Sequence, residues 1–231
     1  MSNQEPSTTL PAPFAGRDAP VWLPGGAGII EARISEPATA GALAGQALVA
    51  VVCHPHSLHG GSMDNKVVTT LARGYRDLGV PVLRFNFRGV GASAGQFDNG
   101  AGESEDLLQV VAWVRQCYPQ ARLLLAGFSF GSAVAARASH QLDGLLQHLV
   151  LVAPPVERYP YDQAGRFCAP LTVVMGDQDE LVDAAGVYRW VEELQSEVTL
   201  LRYPEMTHFF HGGLGPLRQD LMQAVAQHCP D

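Results

Sequence analysis

Basic residues are scarce in this chain: 15 Lys and Arg against 23 Asp and Glu leave a formal net charge of -8, and the few cations are scattered. A surface of that kind lacks the positive stripe that nucleic acid or an anionic membrane face requires, so neither is expected as a partner. No run approaches the roughly 18 apolar residues of a membrane span. The first residues also lack a basic segment followed by an apolar core, which predicts a cytoplasmic chain without a secretory leader. There are only four cysteines, Cys53, Cys117, Cys168 and Cys229, far apart and without metal-type pairing. They are expected to be buried thiols, since a chain of 231 residues can bury a core without disulfide staples. Internal repeats and low-complexity linkers are missing too, which argues for one domain over residues 18–231. Residues 1–17, rich in Pro, Ser, Thr and Ala, are expected to be a mobile arm.

What the chain does contain is an alternation of short apolar runs with longer amphipathic ones. The runs 47–53, 82–87, 123–127, 149–153 and 171–175 are nearly continuous in Val, Leu, Ile and Ala. Strands covered on both faces have this pattern, because neither face meets water. A further strand is expected over 198–203, and an antiparallel edge pair around 21–23 and 29–34. Val68, Leu71, Ala72, Tyr75 and Leu78 share one helical face. A second helix is expected to begin near Glu103, Glu105 and Asp106, whose charges suit a helix N-terminus. Such alternation implies right-handed crossovers, an α/β class and a mostly parallel twisted sheet with helices on both faces. Ligands then sit at the carboxyl ends of the strands.

The sharpest local signal is Gly127-Phe128-Ser129-Phe130-Gly131, between a strand and a small-residue helix. A nucleophile elbow needs small flanking residues to turn this tightly and to push the serine hydroxyl above the sheet. Since a serine hydroxyl is a weak nucleophile without a base, a carboxylate and a histidine should follow in that order. The loop after 171–175 offers Asp177, Asp179 and Asp183, and the segment after 198–203 offers His208 and His211. Asp179 is preferred because Asp177, directly behind the strand glycine, is better placed to shape the turn. Of the two histidines, His208 is chosen. The loop 53–66, beside the elbow, is expected to present the His56 backbone N–H, which with that of Phe130 forms an oxyanion hole.

Four motifs in order, Cys53-His54-Pro55-His56 through Gly60-Gly61 to Met63-Asp64-Asn65-Lys66, then 86–93, the elbow, and His208-Phe209-Phe210-His211-Gly212, resemble lidless serine α/β-hydrolases related to dienelactone hydrolase. The resemblance implies an α/β-hydrolase fold without a cap domain, a Ser129, Asp179, His208 triad and esterase-like hydrolysis, without by itself fixing a substrate; small or short-acyl esters are expected from the short connection after the 149–153 strand, and no cofactor or metal is required. Ser57 departs from the proline common at that place, and Ser129 stands where dienelactone hydrolase carries cysteine, so activity on dienelactones does not carry over. Only about sixteen residues separate the strand at 149–153 from that at 171, too few for a helical lid. Phe128, Phe130, Tyr159, Tyr161, Phe209 and Phe210 line the site or fill the core. Arg88, beside a tight turn, is expected to tie loops together rather than to anchor substrate.

Two other readings stay open at this level. His54, His56 and His59 form an H-x-H-x-x-H run that could bind zinc in a metal-dependent hydrolase, although Leu58 replaces the aspartate of such sites. A hydrolase scaffold used only for binding is the other.

Overall fold

The computed structural model describes residues 18–161 and 164–229; the arm expected over 1–17 lies outside the described residues. The described chain forms β1 (Ala19–Gly25) and β2 (Gly28–Ser35), then β3 (Leu48–Cys53), a single 3₁₀ turn (Ser57–His59) and α1 (Lys66–Asp77). There follow β4 (Val82–Phe85), α2 (Ala101–Cys117), β5 (Arg122–Phe128), α3 (Phe130–Ser139) and β6 (Leu146–Val152). The chain ends with β7 (Leu171–Gly176), α4 (Ala184–Glu193), β8 (Val198–Tyr203) and α5 (Leu214–Gln227).

The strands form one eight-stranded sheet in the order β1-β2-β4-β3-β5-β6-β7-β8. β1 pairs antiparallel with β2 and β2 antiparallel with β4, while all remaining pairs are parallel. The sheet is therefore the mostly parallel one expected, with an antiparallel edge. Every residue of β3, β4 and β7 is buried, which accounts for their continuous apolar sequences. The edge strand β8 is only half-buried along most of its length.

From β3 the chain steps one way to β4, then returns past β3 to β5 and continues in that direction. Right-handed crossovers that reverse direction put α1 on one face and α2 and α3 on the other. The packing agrees, with α1 against α5 and α2 against α3. The reversal opens a crevice between the carboxyl ends of β3 and β5, where ligands of such sheets bind. Both the loop carrying His56 and the turn carrying Ser129 leave the sheet there.

Several local expectations change. Helix α2 begins two residues before Glu103, and that carboxylate is buried, accepting hydrogen bonds from the Asp98 and Gly100 N–H groups at 2.8 Å each. It serves as a specific cap rather than as a solvated charge. Helix α4 went unread in the sequence; it fully buries only Gly186 and Val187, while Ala184, Tyr188 and Val191 of the same face pack partly buried against the core. Cys53 and Cys229 are buried, but Cys117 is half-buried and Cys168 is exposed, so the expectation of four buried thiols fails for two. Between β6 and β7 the described residues form turns and no helix. Among the described residues no helix is long and apolar enough to cross a membrane.

Candidate active site

Strand β5 and helix α3 meet at Ser129, which adopts φ 54° and ψ -122°. A residue with a side chain rarely adopts a positive φ, and the strain is sustained only when neighbours over-determine it. Here the Ser129 N–H donates to the Val152 carbonyl on β6 at 2.8 Å, and the Ser129 carbonyl accepts from the Ser132 N–H at 2.8 Å and hydroxyl at 2.5 Å. The Ser132 hydroxyl also meets the buried Tyr161 hydroxyl at 2.7 Å. Both flanking glycines are required by space: a Cβ on Gly127 would lie 2.2 Å from the Gly131 carbonyl oxygen, and one on Gly131 would lie 2.3 Å from that of His54. The elbow is thus wedged between its own helix and the loop after β3.

Asp179 and His208 follow the carboxyl ends of β7 and β8, two and three strands beyond β5 along the same edge of the sheet. One Asp179 carboxylate oxygen accepts from the Leu181 and Val182 N–H groups, both at 2.8 Å, and the other lies 2.7 Å from Nδ1 of His208. A carboxylate only accepts, so Nδ1 carries the proton and Nε2 offers its lone pair. Nε2 lies 3.1 Å from the Ser129 hydroxyl oxygen. The Asp179 side chain is 0% exposed and that of His208 3%, so this chain of bonds is shielded from competing water until it reaches the half-buried serine. The Phe128 ring, 5.0 Å away, packs beside the imidazole, and the His208 N–H donates to the Glu180 carboxylate at 3.2 Å.

The competing acids are engaged elsewhere. Asp177 accepts from the Tyr188 hydroxyl and from Arg202 at 3.0 Å, and these bonds hold its carboxyl below the usual range. Asp183 caps α4 through the Ala185 and Gly186 N–H groups at 3.1 and 3.0 Å. His211 is exposed, with its ring 6.0 Å from that of Phe209.

The loop after β3 lies against the elbow, with the His56 and Phe130 rings 5.0 Å apart. Among the described residues neither the His56 N–H nor the Phe130 N–H, at the first turn of α3, donates a hydrogen bond. The loop is held from behind by Asn86, which accepts from the Met63 N–H at 2.9 Å and donates to Glu31 at 2.8 Å. Arg88 makes a two-pronged pair with buried Asp106, at 2.8 and 2.9 Å, and is the loop tie expected. Phe128, Phe130, Tyr161 and Phe210 are core residues, leaving Tyr159 half-buried and Phe209 exposed at the surface.

The three histidines of the H-x-H-x-x-H run do not converge. His54 is buried, with Nδ1 2.6 Å from the Pro55 carbonyl and Nε2 accepting from the Phe87 N–H at 2.9 Å, so both ring nitrogens are engaged. Burial lowers its pKa to about 4. His56 accepts from the Leu58 N–H at 3.3 Å, and its ring stacks on His59 with centroids 4.5 Å apart. Among the described residues no three His, Cys, Asp or Glu side chains are grouped to hold a metal ion.

A strained serine at a strand-to-helix turn, facing a buried imidazole and carboxylate on a sheet of this order, is the architecture of an α/β hydrolase. Residues 51–164 match the α/β-hydrolase-fold family model. A lidless α/β serine hydrolase from Xanthomonas campestris is 44% identical, covering 94% of this chain and 98% of that one with a TM-score of 0.88. An α/β serine hydrolase homologue from Coxiella burnetii is 39% identical, covering 92% and 99% with a TM-score of 0.85. An uncharacterised protein of Rickettsia prowazekii is 35% identical over 181 residues, 77% of this chain and 74% of that protein. The chain belongs to the α/β-hydrolase family, in company with serine hydrolases of which the Xanthomonas campestris protein lacks a lid.

Proposed function

We propose that this protein hydrolyses carboxylic esters of small or short-acyl compounds through an acyl-enzyme on Ser129. The observation that carries the reading is the unbroken run from the Asp179 carboxylate through His208 to the Ser129 hydroxyl, at 2.7 and 3.1 Å. His208 takes the serine proton as Oγ attacks the ester carbonyl, and Asp179 stabilises the imidazolium that forms. The N–H groups of Phe130 and His56 receive the oxyanion, each such donor contributing roughly 10²- to 10³-fold in rate. His208 then returns the proton to the departing alcohol, and a water activated by the same imidazole releases the acid. Substrate size follows from the open site: without a helix between β6 and β7 in the described residues, little encloses a long acyl chain. The free cysteines fit a reducing compartment such as the cytoplasm.

The test is labelling with a fluorophosphonate probe, followed by turnover of para-nitrophenyl acetate. Modification should map to Ser129, and Ser129→Ala should lose labelling and about 10⁴-fold or more of turnover. A wild-type chain that folds but does not label would be a binding scaffold, and near-normal turnover by Ser129→Ala would remove the serine from the chemistry.

A further inference from the structure

The Phe130 ring is the hub of an aromatic cluster beside the nucleophile, with centroids 5.0 Å from His56, 5.4 Å from Phe97 and 5.5 Å from Tyr159. His56 and Phe97 also meet at 4.7 Å, and His59 stacks on the outer face of His56. Phe130 itself is buried, but His56, Phe97 and Tyr159 are half-buried and His59 is exposed, so the cluster opens to solvent. The pairs are tilted or edge-on, the arrangements in which the positive rim of one ring meets the negative face of another. A wall assembled in this way offers the same complementarity to one more ring.

Its position ties it to the chemistry. In the mechanism proposed above, Phe130 and His56 are the two residues whose N–H groups receive the oxyanion, so whatever rests on their side chains is attached close to the reacting carbonyl. Burial and the neighbouring His59 lower the His56 pKa, which keeps its ring neutral and able to stack. The apolar character continues around the site. Among the described residues the exposed large hydrophobic side chains are Leu58 at 70%, Leu181 at 46% and Phe209 at 37%. Each lies within two residues of His56, Asp179 or His208. Single exposed leucines need no explanation, but apolar groups that all fall on the loops of one site mark a binding surface.

We infer that the preferred substrates are esters carrying an aromatic ring close to the scissile bond, the ring stacking on the wall formed by His56, Phe97 and Tyr159. This deepens the hydrolase reading and rests on it. A saturated ring of equal size would bury similar area but lack the quadrupole match, so the contrast between phenyl and cyclohexyl isolates the effect.

Two matched pairs test it: para-nitrophenyl phenylacetate against the cyclohexylacetate, and benzyl acetate against cyclohexylmethyl acetate. In at least one pair the aromatic ester should lead in kcat/KM by about 3- to 10-fold. Tyr159→Leu and Phe97→Leu should bring that pair to parity, the aromatic ester losing more kcat/KM than its saturated partner, and Tyr159→Phe should retain the preference. Parity in both pairs for the wild type, or a preference that survives both leucine variants, overturns the inference. A chain that neither labels at Ser129 nor cleaves ethyl acetate overturns the hydrolase reading beneath it. One that does both but shows no ring preference overturns this inference alone.

Discussion

Asp179 divides its carboxylate between two tasks: one oxygen takes the Leu181 and Val182 N–H groups, and the other faces His208 Nδ1 at 2.7 Å. The backbone bonds orient the second oxygen, so the imidazole meets a fixed acceptor rather than a rotating one. Asp177 and Asp183, close in sequence, spend their oxygens on Tyr188, Arg202 and the start of α4.

Substitution of each acid by asparagine therefore has unequal consequences. Asp179→Asn should lower kcat on para-nitrophenyl acetate by about 10³- to 10⁴-fold, because an amide cannot hold the imidazole in the productive tautomer. Asp177→Asn and Asp183→Asn should stay within about threefold of wild type and show their effect in thermal stability, through the hydrogen bonds that an amide nitrogen cannot accept. Steady-state kinetics on the three variants decides the assignment. An Asp183 variant as impaired as expected for Asp179 would move the acid to α4.

Arg88 and Asp106 form the loop tie behind the site, with Asp106 2% exposed. Arg88→Met leaves that carboxylate buried without a partner and should cost about 3–5 kcal/mol, seen as a fall in melting temperature on the order of 10 °C. Arg88→Met combined with Asp106→Leu should recover much of the loss, since the stranded charge is gone. If the arginine were a substrate anchor instead, the single variant would raise KM and leave the melting curve in place.

Two buried histidines make the fold sensitive to mild acid. Burial, with His228 nearby, lowers the pKa of His148 from 6.5 to about 3, and burial lowers that of His54 from 6.5 to about 4. The unfolded chain takes these protons near pH 6.5 and the folded chain does not, so unfolding binds protons throughout the interval. Stability is then complete above about pH 6.5 and declines as the pH falls towards 4, by about 1.4 kcal/mol per unit for each group. Urea titrations at pH 7.5, 6.5, 5.5 and 5.0, roughly the window before carboxylates dominate, should show this slope. His148→Gln should remove about half of it, and an unaltered slope would assign the acid sensitivity elsewhere.

Ser57 opens the 3₁₀ turn in the loop after β3, behind His56 at φ -56° and ψ 120°. Among the described residues its N–H donates no hydrogen bond, and its buried hydroxyl has no partner. Proline suits the first residue of such a turn, and the extended ψ of His56 is what a following proline demands. Ser57→Pro should stabilise the chain by about 0.5–1 kcal/mol and raise the melting temperature by about 2 °C. Calorimetry together with ester turnover would check both parts, since the loop shape and hence kcat should be preserved.

Much of this was legible in the sequence because the sheet is buried on both faces. Continuous apolar runs announced β3 to β7, and the glycines around Ser129 announced a turn too tight for side chains. The helices α4 and α5 escaped, and each fully buries only a few of its residues. The aromatic residues could not be sorted, because Phe128, Phe209 and Phe210 look alike in the chain although the first and last are core and the middle one is exposed. Glu180, which receives the His208 N–H, gave no signal, being one carboxylate among several in a polar loop.

By itself the sequence determined which chemical groups exist and at which strand ends they lie, because burial and turn geometry are local constraints that leave local patterns. Only the tertiary structure decided which of three aspartates meets the imidazole, whether three neighbouring histidines converge, and which rings remain open to a substrate. Those outcomes depend on contacts between residues 29 and 79 positions apart in the chain. Pairings of that kind are selected by how crossovers stack the strands, and sequence proximity carries no record of them.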